Sequence, residues 1–106
     1  MNMNKAITLD LISKTYTIDS MGQRIPTEKT STVYATLQSV SRAEWTSYSS
    51  TGRSGLVPAY VALVFMGDYN GESVAEYNGQ RFGIYRTYER DDEQVELYLE
   101  KKAGNE

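Results

Sequence analysis

Cysteine is missing from this chain of 106 residues, and so is histidine. Without cysteine there is no disulfide, no thiolate metal site and no thiol nucleophile. Without histidine the commonest general base near neutral pH is gone, as is the commonest metal ligand. Neither a Ser-His-Asp nor a Cys-His arrangement can be built from what remains. Long hydrophobic runs are also missing. The longest apolar stretch, Ala59 to Met66, is far too short to span a bilayer, so no membrane partner is expected. The opening segment, Met1 to Lys14, breaks its Ile7/Leu9/Leu11/Ile12 cluster with Asp10 and lacks a small-residue cleavage site, so it does not read as a signal peptide. The expected location is therefore a cytoplasm, unless the chain leaves it as part of a particle.

Basic charge is scarce too. A net charge of −3 and a pI near 5.0 argue against a dedicated nucleic-acid binder. The charge is unevenly placed: up to Met66 cations exceed anions by two, and from Gly67 onward anions exceed cations by five. An acidic half suits complementary docking, or simply solubility. The densest acidic cluster, Glu89, Asp91, Asp92 and Glu93, lacks the spacing and central glycine of a calcium loop and reads as a solvated hairpin end. Glu76 and Glu96 are the remaining acid–base pair to weigh, and glutamates on strand faces are usually surface. No phosphate-binding glycine pattern is present. The expectation is a protein that is not an enzyme and holds no cofactor or metal.

What the sequence does have is alternation. A length of 106 residues suits one domain, residues 1–106, with a modest core. Ala6 to Ile18 alternates with Ile7, Leu9 and Leu11 on one face, then changes phase to Ile12, Tyr16 and Ile18, which predicts a bulge or bend near Ser13. Asp19-Ser20-Met21-Gly22 is a turn signal, Pro26 argues against a central-strand position, and Thr30 to Val40 alternates again with Val33, Ala35 and Leu37 inward and Tyr34, Thr36 and Gln38 outward. Two strands joined by a wide loop follow from this.

Ser41 and Glu44 then have capping-box spacing, with Val40 and Trp45 placed as a hydrophobic staple. This predicts a short helix from Arg42 to about Tyr48. Ser49 to Pro58 is small, polar and glycine-punctuated, and predicts a flexible loop. Ala59 to Met66 is apolar on both faces, as in a strand buried on both sides or at a subunit contact. Gly67 to Gly71 reads as a turn, Ser73 to Tyr77 as a strand, and Asn78-Gly79 as a type I′ hairpin turn leading into Gln80 to Glu89. Arg90-Asp91-Asp92 turns the chain again, Glu93 to Glu100 places Val95, Leu97 and Leu99 inward, and Lys101 to Glu106 reads as a frayed tail. The fold class is all-β with one short helix, a small antiparallel barrel or sandwich of about six strands.

Nine tyrosines stand beside two phenylalanines and one tryptophan. Tyrosine tolerates half-exposure and anchors interfaces, although strands favour it in any case. Trp45, Tyr60, Tyr85, Tyr88 and Tyr98 are the residues expected at subunit or partner contacts.

Several stretches, taken in order, resemble the head–tail joining or head-closure (stopper) proteins of tailed bacteriophages. They are Gln38-Ser39-Val40-Ser41-Arg42-Ala43-Glu44-Trp45, Gly67-Asp68-Tyr69-Asn70-Gly71-Glu72, Tyr77-Asn78-Gly79-Gln80-Arg81-Phe82-Gly83-Ile84-Tyr85-Arg86-Thr87-Tyr88 and Val95-Glu96-Leu97-Tyr98-Leu99-Glu100-Lys101-Lys102. The opening Ile7-Thr8-Leu9 with its Asp19/Gly22 turn agrees. The resemblance spans nearly the whole chain and rests on order and spacing, since each motif alone is ordinary hairpin chemistry.

It implies a β-barrel subunit of the virion neck, made in the bacterial host cytoplasm and assembled as a ring below the portal and its adaptor. There it closes the DNA exit channel after packaging and offers a platform to tail proteins. The family's channel-closing loop lies between the short helix and the next strand. That position here is Thr46, Ser47, Tyr48, Ser49, Ser50, Thr51, Gly52, Arg53, Ser54, Gly55, Leu56, Val57 and Pro58, where Arg53 is placed to contact phosphate of the packaged DNA. A neighbouring tail-completion protein is the near alternative, and a small barrel binding single-stranded nucleic acid is the alternative from another class.

Overall fold

A strand buried on one face writes its position as period-two alternation, and this chain follows that rule almost throughout. The computed structural model describes residues 4–49 and 56–102, leaving aside the side chains of 46–49 and 102. Among the described residues there are six strands and one α-helix: β1 (Asn4–Ile18), β2 (Arg24–Ser39), α1 (Arg42–Ser49), β3 (Leu56–Phe65), β4 (Val74–Tyr77), β5 (Gln80–Glu89) and β6 (Gln94–Lys102), with a single 3-10 turn at Met66–Asp68. All neighbours are antiparallel, and the order β1-β2-β3-β6-β5-β4 closes on itself when β4 pairs with β1 through Asp10–Glu76, Leu11–Ala75 and Ile12–Val74. The fold is a closed barrel rather than a sandwich, and closure removes the open sheet edges.

The barrel is filled by the inward residues of every strand. Leu9, Leu11, Leu37, Ala62, Val64, Ala75, Phe82, Val95, Leu97 and Leu99 form one cluster, which Ile7, Tyr60, Tyr77 and Ile84 extend. Burying each large apolar side chain stabilises the fold by about 1.5–3 kcal/mol. Val61 and Leu63 are also buried, on the opposite face of β3. The run is thus covered on both faces as far as Val64, with α1 lying against this strand, while Phe65 at its end stays exposed.

Several boundaries differ from the sequence-based expectation. Residues 19–30 hold no wide loop. The strands run to Ile18 and from Arg24, and Asp19 closes a tight turn: its amide donates to the Gln23 carbonyl (3.0 Å), its carbonyl accepts from Gly22 (3.0 Å), and its carboxylate accepts the amides of Met21 and Gln23 (2.9 and 2.8 Å). Nor is there a bulge near Ser13, because β1 and β2 stay in unbroken register from Asn4–Gln38 to Ile18–Arg24. The change of apolar phase has another cause. Leu9 and Leu11 face the core, Ile12 is buried on the outer face beside Val74, and beyond it the hairpin leaves the barrel as a two-stranded ribbon.

Pro26 lies in that ribbon opposite Tyr16. Alternation from the hydrogen-bonded Asp19–Gln23 pair makes this a non-hydrogen-bonded site, so the missing N–H costs no ladder bond. At its other end β3 begins at Leu56 rather than Ala59, and Pro58 is accommodated at a register shift against β6. β6 continues through Lys101 and Lys102, which pair with Val57 and Leu56 where a frayed tail was expected, and residues 103–106 of that tail lie outside the described residues. The Asn78-Gly79 turn is as expected, with φ of 56° and 80°, the left-handed pair a type I′ turn requires.

Candidate functional site

Two features stand out from the barrel: a helix clasped to its wall and a ribbon projecting from it. The clasp begins with Ser41. Its hydroxyl accepts the Glu44 amide (3.1 Å), the N-cap half of the expected capping box. The reciprocal half is absent from the Glu44 side chain, which is drawn away to the barrel. Arg86 grips it bidentately, Nε to Oε2 at 3.2 Å and Nη2 to Oε1 at 2.5 Å, and the Tyr85 hydroxyl donates to Oε2 at 2.6 Å. Consecutive strand residues normally face opposite ways. Here a register shift between Ile84 and Arg86 against β6 lets Tyr85 and Arg86 both reach the same carboxylate.

Glu44 is buried, and the Arg86 and Tyr85 hydrogen bonds hold its carboxyl below the ordinary value near 4.5 against the opposing effect of burial. The guanidinium of Arg86 also lies 3.8 Å from the centre of the Tyr98 ring, which meets the Tyr85 ring edge-on. The Tyr98 hydroxyl donates to Glu96, and burial together with that carboxylate pushes the phenol up to about 12.

The ribbon is the opposite case, a β element with little packed against it. Tyr16, Ile18, Met21 and Ile25 are exposed along it, Met21 to 81% at the turn. It is stiffened by a Thr15–Thr27 hydroxyl hydrogen bond (2.7 Å) and by Arg24 lying over the Tyr16 ring. Near its base Arg81 of β5 reaches across to Glu28 with two hydrogen bonds of 3.0 and 2.9 Å, which lower the Glu28 pKa. The molecule measures 54 Å along its longest axis against 33 and 24 Å.

The expected contact residues divide. Tyr85 and Tyr98 belong to the clasp, and Tyr60 packs inside the barrel edge-on to Phe82 and Tyr77. Trp45 and Tyr88 are exposed, to 43% and 57%. Of the expected loop, Thr46–Ser49 are the last residues of α1 and Leu56–Pro58 are the first of β3, paired with Glu100–Lys102. Ser50, Thr51, Gly52, Arg53, Ser54 and Gly55 lie outside the described residues.

Sequence reasoning passed over the most exposed apolar groups. Tyr34, 83% exposed, was legible only as an outward position, Tyr16 and Ile18 as strand residues after a change of phase, and Met21 and Ile25 were hidden inside an expected turn and loop. No group of three or more acidic side chains is arranged to hold a metal among the described residues, and no described helix is long and apolar enough to cross a membrane. Glu72 and Glu100 are the other buried acids, and Glu72 is spent locally: its carboxylate accepts the Asn70 amide (2.8 Å) and its carbonyl the Tyr69 hydroxyl (2.7 Å).

Fold and geometry together define a small closed β-barrel with a clasped helix and a projecting apolar ribbon. No protein-family model, no curated protein and no solved structure matches this chain.

Proposed function

We propose that this chain is a structural subunit of a tailed-bacteriophage neck, which connects the head to the tail and closes the DNA exit channel after packaging. The observation that carries the reading is the ribbon. A stiff two-stranded arm with Tyr16, Ile18, Met21 and Ile25 exposed contributes little to the barrel's own core, and apolar side chains kept in water on a stiff support are characteristic of a contact surface. The clasp supports the same reading. It fixes α1 to the barrel wall just before residues 50–55, while Leu56–Pro58 are held by β6 just after them. The chain is thereby held just before the stretch 46–58 that the resemblance assigns to channel closure, and again at the last three residues of that stretch. The partners are then portal or adaptor proteins on one side, tail proteins on the other, and further copies of the chain around the channel.

Electron microscopy of lysates from the parent phage with this gene deleted tests the proposal. Emptied heads accompanied by free, normal tails are the expected result. Intact infectious particles would overturn it.

A further inference from the structure

The two ends of the molecule carry complementary surfaces. At one end the ribbon offers Tyr16, Ile18, Met21 and Ile25 together with three cations, Lys14, Arg24 and Lys29. Its two carboxylates are both engaged, Asp19 by turn amides and Glu28 by Arg81. At the other end lies an open groove of about 460 Å³, walled by Ile7, Tyr34, Leu63 and Phe65 and rimmed by Asp92 and Glu93. Tyr34 and Phe65 are 83% and 54% exposed. Gly67 makes room for the groove wall, since a Cβ there would stand 2.6 Å from the Phe65 ring. The rim belongs to the turn Glu89–Glu93, which holds four carboxylates and one arginine, and Arg90 is already paired with Asp92. One end is thus apolar and basic, and the other apolar and acidic.

These surfaces cannot meet within one molecule. Ile7 and Ile18 lie on the same unbroken strand, eleven residues apart, which is about 36 Å at roughly 3.3 Å per residue. We infer that the ribbon of one copy docks into the groove between Tyr34 and Phe65 of the next, with Lys14 and Arg24, which share the ribbon face of Tyr16 and Ile18, turned toward Asp92 and Glu93 of the rim. The contact is heterologous, so each copy both gives a ribbon and receives one, and repetition produces a ring if the rotation closes. The inference rests on the neck reading's requirement that copies join one another, and it names the surface through which they do so. Its test uses purified protein alone, so the result does not depend on whether phage particles lose their DNA.

Analytical ultracentrifugation of the full chain over a range of concentrations, at low and at moderate salt, reads the association directly. Assembly that grows with concentration and weakens at least several-fold with salt is expected, because the cationic ribbon and acidic rim are screened. A chain that stays monomeric at its solubility limit in low salt overturns the inference. Two variants then define the geometry. Ile18→Glu with Met21→Glu spoils the ribbon, and Tyr34→Glu with Asp92→Lys spoils the groove. All four side chains are exposed, so each variant is expected to keep the wild-type melting temperature. Each variant alone should be monomeric, while an equimolar mixture should form one-to-one pairs and nothing larger, because one partner retains a groove and the other a ribbon. A ribbon variant that still assembles like the wild type, or a mixture that forms no pairs, contradicts head-to-tail docking.

Discussion

At the scale of single residues, Glu44 does the most unusual work. Exposed glutamates at the start of a helix contribute a few tenths of a kcal/mol, but this one is buried and holds three hydrogen bonds from β5. Replacing it by glutamine removes the charge-assisted pair and is expected to cost about 2 kcal/mol at neutral pH, since hydrogen bonds to charged groups contribute roughly 1.5–3 kcal/mol and the half-exposed Arg86 is partly screened. Urea unfolding of wild type and Glu44→Gln measures the difference.

Its pH dependence has a definite sign. The folded carboxyl titrates below 4.5, so on acidification the unfolded chain takes up the proton first. The stabilisation is complete above the unfolded value and is lost as pH falls through the depressed folded one. The gap between wild type and variant should therefore close on the acid side, and a gap that persists unchanged there would contradict the assignment. The sequence announced only half of this residue's role. Capping-box spacing identified Glu44, but its partners lie more than forty positions away on a strand whose bulge no periodicity reveals.

At the scale of elements, the barrel and the ribbon answer to different rules. Leu97 is fully buried in the core cluster, so Leu97→Ala is expected to cost about 2–5 kcal/mol. Ile18 is 65% exposed, and Ile18→Ser should change stability by no more than about 0.5 kcal/mol. Thermal melts of the two variants side by side measure this contrast, and an equal loss in both would mean that the ribbon is part of the cooperative core.

A larger change follows the same logic. Replacing Tyr16–Pro26 by Asn-Gly puts a two-residue turn on the hydrogen-bonded Thr15–Thr27 pair and shortens the hairpin without altering the register of the barrel. The shortened chain should keep the wild-type near-ultraviolet circular dichroism, and unfolding of the whole chain would contradict this division.

The strands that wall the barrel were legible because one face of each is buried, and Val33/Ala35/Leu37 and Val95/Leu97/Leu99 record it directly. Of the ribbon, the outgoing strand to Ile18 was legible and the returning strand from Arg24 was not, because a two-stranded arm bathed in water on both faces has no buried face to impose alternation. The Pro26, Thr27, Glu28 and Lys29 stretch read as loop for that reason. The asparagine–glycine turn was legible because its backbone requirement is local, as the positive φ of both residues bears out.

At the scale of the whole molecule, charge and shape decide which partners are plausible. A net charge of −3, with acids gathered at the Glu89–Glu93 end, disfavours a nucleic-acid backbone as partner. Fluorescence polarisation with labelled single-stranded DNA should accordingly detect no salt-sensitive binding at micromolar protein, and tight, salt-sensitive binding would favour the nucleic-acid reading instead. The acidic half and the tyrosines were visible in the sequence as docking material. That Tyr60 turns into the barrel was not, because only its partner strands decide it, whereas the exposure of Tyr34 followed from alternation.

The measurement that bears most directly on the central claim is the position of this chain in a finished particle. Gold-labelled antibody against the chain, viewed by electron microscopy on purified virions of the parent phage, is expected to mark the junction of head and tail and no other place. Particles without label at that junction, or with label along the tail shaft or at its tip, would contradict the account.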